Sequence, residues 1–349
     1  MYFLDEPYVS KLLKFSSFFY NSGNKVYTNS ENSLNKIISK FQDTDLPSKI
    51  ELFKDKVKFR DFLKTIYSDF FFKKVSYTDL ISLNGSDLKY PCVIKPAVGF
   101  LSFGVYTLWN EDDFKEAVLK IKESYIDLQN SFPKCVLSAD NFIIEEFIAG
   151  EEYAVDLYFN DKSEPVIITV YKHPFNGKYD VSDRMYITSV DIYFNFHEKF
   201  YDLFYEIGKK AELKNFPAHI ELRVQGDKIN LIEVNPLRFA GWCLCDLAYY
   251  AYGINPYKMF MKNRVPVYCL DDKEINAFVL AEVPNDIKDN IESFDIKSFK
   301  NDLNARILET RRFNFKEKPL FASFFISAEK YENVEHVLKL DIKNYIRMK

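Results

Sequence analysis

The chain of 349 residues is poor in glycine, with ten, and in arginine, with nine against thirty-eight lysines. It has no internal repeat, no low-complexity stretch, and no excess of one charge, since 47 Lys plus Arg against 51 Asp plus Glu give a net charge of −4. Each absence excludes something. Without a basic excess, a protein that holds nucleic acid by its overall field is excluded. The longest apolar runs, such as 165–171, fall far short of the roughly 20 residues of a membrane span. Asp5, Glu6, Lys11 and Lys14 interrupt the first twenty residues, so no secretory signal is expected there. Five cysteines, two of them (Cys243 and Cys245) one residue apart, do not make a disulfide framework. The expectation is a soluble protein of the reducing cytoplasm.

What is present is an ordinary globular balance, 47% hydrophobic and 28% charged, with 34 Phe and 24 Tyr. Pattern changes suggest four stretches: 1–47, 48–152, 153–262 and 263–349. The first reads as a small α/β unit, with an apolar segment at 2–4, a helix at 10–20 and a strand at 25–28. Apolar residues at helical spacing over 51–67 predict an amphipathic helix that leaves Lys56 and Arg60 four apart on one side. A buried strand at 91–94 runs into Lys95-Pro96, then a loop with Gly99 and Gly104, a strand at 105–109, and a helix at 111–124 capped by Asn110. A strand at 141–147 ends at Ile148-Ala149-Gly150. Two hairpins are expected, 153–159 with 166–171 and 218–224 with 229–234, with a helix near 198–211 between them. After Pro256 come separated strands at 277–283 and 320–327 and a terminal helix from about 335, read as an accessory domain.

The second hairpin carries the clearest chemistry. Ile220, Leu222, Val224, Ile232 and Val234 have one parity, and Glu221, Arg223, Glu233 and Asn235 the other, so the polar set shares the face away from the core. A register that pairs 220 with 234 and 222 with 232 sets Glu221 opposite Glu233. Opposed side chains have Cβ atoms roughly 4.5–5.5 Å apart, and two ionised glutamates at that distance call for a proton or a cation between them. Glu221, Glu233 and the Asn235 amide are oxygen ligands that suit Mg²⁺ or Mn²⁺. An exposed hairpin face with unrelated charges is the plainer alternative for a hairpin taken alone.

The run from Glu221 to Glu-Val-Asn-Pro resembles the metal-binding hairpin of the ATP-grasp ligases, and three further segments match that superfamily in order. Cys92-Val-Ile-Lys95-Pro96 with Gly99, Ser102 and Gly104 resembles its strand, phosphate-binding lysine and flexible loop. Glu145-Glu-Phe-Ile148-Ala-Gly150-Glu-Glu152 resembles its adenine hinge, and Asp55-Lys56 its first nucleotide lysine. The resemblance covers about residues 50–255 and implies an α+β ATP-grasp fold, two α/β subdomains clamping ATP, with a short N-terminal unit and a C-terminal accessory domain.

It implies that Lys56 and Lys95 face phosphates, that Ser102 and the Gly104 loop donate to them, and that Glu145 accepts from the adenine amino group. Glu146 and Ile148 then read the base edge through their backbones, Phe147 and Leu231 supply apolar walls with Val93, and Glu152 meets the ribose. Glu221, Glu233 and Asn235 would hold the metal. The sequence departs from common relatives in the bulky Phe100, Leu101 and Phe103 of the loop and in Leu237, which separates Pro236 from Arg238.

The implied chemistry is ATP-dependent activation of a carboxylate as an acyl phosphate and its capture by an amine, with ATP and Mg²⁺ (or Mn²⁺) as cofactors. Arg238 is the leading candidate for the substrate carboxylate or acyl phosphate, with Arg223, Lys172 and Arg184 as further catalytic candidates. An ion pair with Glu221 is the alternative for Arg223. His173 and the Cys243, Cys245 pair read as structural. The resemblance gives small-molecule carboxylate and amine substrates, with a peptide partner and a homodimer left open. Two other readings stand beside it: a modifier of a peptide or protein tail, and a nucleotide-binding regulatory protein without turnover. Phe100, Phe103, Phe239 and Trp242 are expected to line an apolar cleft.

Overall fold

The computed structural model describes residues 25–28, 33–99, 104–131, 138–178, 180, 182–284 and 286–349. The segments expected at 2–4 and 10–20, and Phe100, Leu101, Ser102 and Phe103 of the loop, lie outside the described residues. Two compact units share the chain. One comprises Met1–Gly150 with Asn215–Arg238, the other Glu151–Lys214 with Phe239–Lys349.

The first unit contains an antiparallel sheet in the spatial order Phe72–Ser76, Ser138–Glu146, Cys92–Val98, Tyr106–Leu108. Strand alternation divides its faces. Val75, Cys92, Ile94, Leu108, Phe142 and Ile144 form a buried cluster with Phe114, Ala117 and Ile121 of the long helix Glu111–Ser131. The intervening positions, Val93, Lys95, Ile143 and Glu145, therefore face the other way. Asn110 caps that helix, its Oδ1 accepting from the backbone of Asp112 and Asp113 at 2.9 and 3.0 Å.

The expected helix over 51–67 is two helices, Leu46–Lys54 and Lys56–Leu63. Asp55 breaks them because its backbone is extended and its side chain accepts from Val57 N and Lys58 N, capping the second helix. Lys56 and Arg60 then point inward from successive turns, 7% and 3% exposed. Residues 25–28 form no strand, although Val26, Tyr27 and Thr28 are buried and Thr28 N donates to Leu237 O.

The hairpin Phe216–Gln225 and Lys228–Pro236 pairs Ile220 with Val234 and Glu221 with Glu233, as the pattern predicts. Beyond Glu221 the register changes, because Leu222 pairs with Leu231 rather than with Ile232. A bulge at Ile232 lets both leucines be fully buried as a pair.

In the second unit the strands run in the order Arg306–Arg312, Leu320–Ala328, Ile275–Glu282, Met185–Thr188, Pro165–His173, Glu151–Phe159. Glu151–Phe159 and Pro165–His173 form the expected first hairpin, with Tyr153 opposite Lys172 and Phe159 opposite Pro165. The helix Val190–Lys210 begins earlier than the sequence suggests, because Ser189 caps it by accepting from Ile192 N at 3.0 Å. The terminal helix expected from 335 is absent from the described residues. The short helix Tyr331–Glu335 ends there, and turns lead into the strand Ile346–Met348.

Candidate nucleotide and metal site

In the first unit the face opposite the long helix carries a buried charge cluster. Lys95 and Glu145 lie on adjacent strands, offset by two residues, since Val93 is opposite Glu145 and Lys95 opposite Ile143. That diagonal is within reach of long side chains. Lys95 Nζ is 2.5 Å from Glu145 Oε1, and Arg60 Nε donates to Glu145 Oε2 at 2.8 Å. Burial acts to raise the Glu145 pKa, but Lys95 and then Arg60 outweigh it and hold it at about 2. Burial, with Arg60 and Lys56 nearby, lowers the pKa of Lys95 against the pull of Glu145.

The hinge follows directly. Glu146 N donates to Phe71 O and Phe147 N to Pro91 O, so the strand end is fixed by backbone bonds. Ile148 is 8% exposed. Phe147 packs on Trp109 at 5.0 Å between ring centres. Arg223 reaches this turn, its Nη1 donating to Ile148 O at 2.7 Å and its guanidinium lying 5.0 Å from the Phe147 ring centre. It stands on the same face of the hairpin as Glu221 and bonds the hinge carbonyl. Gly150 closes the turn at φ +115°, where a Cβ would lie 2.4 Å from Val224 O. Gly104 also has positive φ, +69°, and a Cβ there would meet Pro96 Cγ at 3.1 Å.

On the hairpin, Asn235 Nδ2 donates to Glu233 Oε1 at 2.9 Å, and Lys56 Nζ is 3.6 Å from Glu233 Oε2. Lys56 also donates to Gly99 O at 3.2 Å, tying the helix to the start of the loop. Burial would raise the Glu233 pKa, but Lys56 first, with Lys54, Asn235 and Lys95, holds it at about 2. Among the described residues no three His, Cys, Asp or Glu side chains form a metal cage of their own. Two carboxylates and an amide instead suit a hard divalent cation that completes its shell with phosphate and water, so the donor set fits Mg²⁺.

Two residues outside the sequence reading's site also stand here. His219 lies opposite Asn235, with Nε2 3.6 Å from Glu221 Oε1, and the parity of the strand gave the signal for it. Arg60 had its signal in the i, i+4 spacing to Lys56.

Arg238 is half-buried at the unit's last position, after Leu237, which has φ +61°. Glu152, Lys172 and Arg184 belong to the second unit. Glu152 Oε1 is 2.9 Å from His173 Nδ1, and His173 Nε2 meets Ser182 O at 3.1 Å, a buried structural bridge. Lys172 pairs with Glu151. Arg184 Nη1 donates to Leu338 O at 3.3 Å and Nη2 to Leu340 O, so its guanidinium anchors the C-terminal segment. Cys245 is buried with its thiol 3.1 Å from Tyr257 Oη, Phe239 packs on Tyr257 and Phe260, and Trp242 packs on Phe313.

Residues 88–246 match the family model of the ATP-grasp domain. Among solved structures, the chain is similar to an L-amino acid ligase from Bacillus licheniformis at 17% identity and a TM-score of 0.66, covering 99% of this chain and 84% of that one. A biotin carboxylase from Campylobacter jejuni aligns at 10% identity and a TM-score of 0.59, over 98% of this chain and 78% of that one. An N5-carboxyaminoimidazole ribonucleotide synthetase from Thermotoga maritima aligns at 15% identity and a TM-score of 0.55, over 86% and 74%. At these identities the likeness concerns the fold. No curated protein matches the sequence. No helix among the described residues is long and apolar enough to cross a membrane.

Proposed function

From the match of residues 88–246 to the family model of the ATP-grasp domain, we propose that the chain is an ATP-dependent carboxylate–amine ligase. A carboxylate oxygen of an amino acid or small peptide attacks the γ-phosphorus of ATP, and ADP leaves. An amine then attacks the acyl carbon of the resulting acyl phosphate, inorganic phosphate departs with the C–O bond electrons, and the amine proton passes to solvent. No covalent enzyme intermediate is required, so the protein's work is positioning and charge neutralisation.

The observation that carries this reading is the direct pairing of Glu221 with Glu233, with Asn235 bonded to Glu233 and Lys56 beside it. ATP and Mg²⁺ are the cofactors, and the cation, when bound, neutralises phosphate charge and relieves the repulsion between the two glutamates. Glu221, Glu233 and Asn235 would hold it. Lys56 and Lys95 place ammonium groups toward the phosphates. Ionised Glu145 has no proton to give and accepts from the adenine amino group, beside Phe147 and Leu231. Arg238 takes the substrate carboxylate or acyl phosphate, and Arg223 braces the hinge at Ile148.

Incubation with ATP, Mg²⁺ and pooled amino acids, read by phosphate release and mass detection of products, is the test. The expected result is one phosphate released per condensed product, with turnover abolished in Glu233→Gln while its circular dichroism is unchanged. Normal substrate-stimulated ATP turnover by Glu233→Gln would sink the assignment.

A further inference from the structure

The ligase reading gives Arg60 no task, yet its guanidinium is 3% exposed and bonded on several sides. Nε donates to Glu145 Oε2 at 2.8 Å, Nη1 to Leu231 O at 2.7 Å and Nη2 to Ile232 O at 3.4 Å. The Phe70 ring centre lies 4.4 Å from Cζ. One planar fork therefore touches both the carboxylate and the backbone of the apolar wall that the reading assigns to the base.

The geometry at Glu145 has a chemical consequence. A carboxylate bound by one lysine can turn about its terminal torsion, which is broad. Here each oxygen has its own cation, Lys95 from one strand and Arg60 from a helix, so the plane of the group is set. Both bonds use the ionised form, which is an acceptor only. A fixed acceptor bonds an exocyclic amino group and repels a carbonyl oxygen at the same position. Because Arg60 also holds the bulged backbone at Leu231 and Ile232, the spacing between this acceptor and the apolar wall is set by the same side chain.

We propose that Arg60 is a positioning residue that makes the base pocket selective for a 6-amino purine over a 6-oxo purine, by fixing Glu145 as an oriented acceptor and Leu231 at a set distance from it. The inference rests on the ligase reading, which takes Glu145 as the base-contacting group. A site built around one charged hydrogen bond discriminates strongly against a ligand that cannot make it.

Calorimetric titration with ADP and with inosine diphosphate, which carries oxygen in place of the 6-amino group, reads this without any need to know the ligase substrate. The full chain is expected to bind ADP at least about tenfold more tightly than inosine diphosphate, the range of one hydrogen bond to a charged group. In Arg60→Met that ratio falls to about threefold or less, with Lys95 still keeping Glu145 paired. Val279→Ala, a core truncation in the other unit, loses stability but keeps the wild-type ratio, which separates selectivity from general destabilisation. A ratio unchanged in Arg60→Met overturns the role of Arg60 and leaves the ligase reading standing, whereas equal binding of both nucleotides by the wild type overturns that role together with the base contact assigned to Glu145. Binding of neither nucleotide by the wild type overturns both.

Discussion

Glu221 and Glu233 stand directly opposite each other in the hairpin register, one residue before the bulge that shifts every later pair. Like charges directly opposed on a sheet are destabilising, and Lys56, 3.6 Å from Glu233, offsets only part of a repulsion that a cation would remove. Glu221→Gln is therefore expected to stabilise the chain in EDTA by about 0.5 kcal/mol and to lose the stabilisation that Mg²⁺ gives the wild type. Urea melts with and without Mg²⁺ check this; a variant destabilised in EDTA and still protected by Mg²⁺ contradicts it.

Acid should weaken the first unit in a defined window. Glu145 has an ordinary pKa of 4.5 and is held at about 2 in the fold. A depressed carboxylate contributes stability that is fully present above pH 4.5 and is lost as pH falls toward 2. With both cations buried around it, the contribution is on the order of 3 kcal/mol. Unfolding free energies from pH 6 down to pH 2 should show this loss in the wild type, and a smaller one in Glu145→Gln. A Glu145→Gln profile parallel to the wild type would remove Glu145 from the account.

Gly150→Ala is expected to destabilise by at least about 2 kcal/mol. The added Cβ would sit 2.4 Å from Val224 O at a φ of +115° that side chains rarely adopt. Since the obstacle is backbone of the hairpin, no side chain can give way. Thermal unfolding measures the loss, and a melting temperature within a degree of wild type would show that the turn has another conformation available.

Much of the hairpin was legible in the sequence. Parity placed Ile220 and Val234 inward and paired Glu221 with Glu233. It could not place the bulge at Ile232, which arises because Leu222 and Leu231 are both buried. The break at Asp55 was hidden in a continuous helical pattern, since Asp is tolerated mid-helix and becomes a cap only when the backbone bends. The i, i+4 spacing makes Lys56 and Arg60 neighbours on one side. That this side is buried was not readable, because charge spacing alone is the same on a solvated face.

By itself the sequence determined which side chains share a face, through the period of two along strands and the i, i+4 spacing along helices, and these periods are local. Only the tertiary structure decided what those faces meet. Arg60 reaches Glu145 across 85 positions and Leu231 across 171, and Arg223 bonds a carbonyl of the hinge across 75. A buried guanidinium bonds whichever acceptors packing brings within reach, so its partners follow from the assembly of distant segments and leave no spacing in the chain to read.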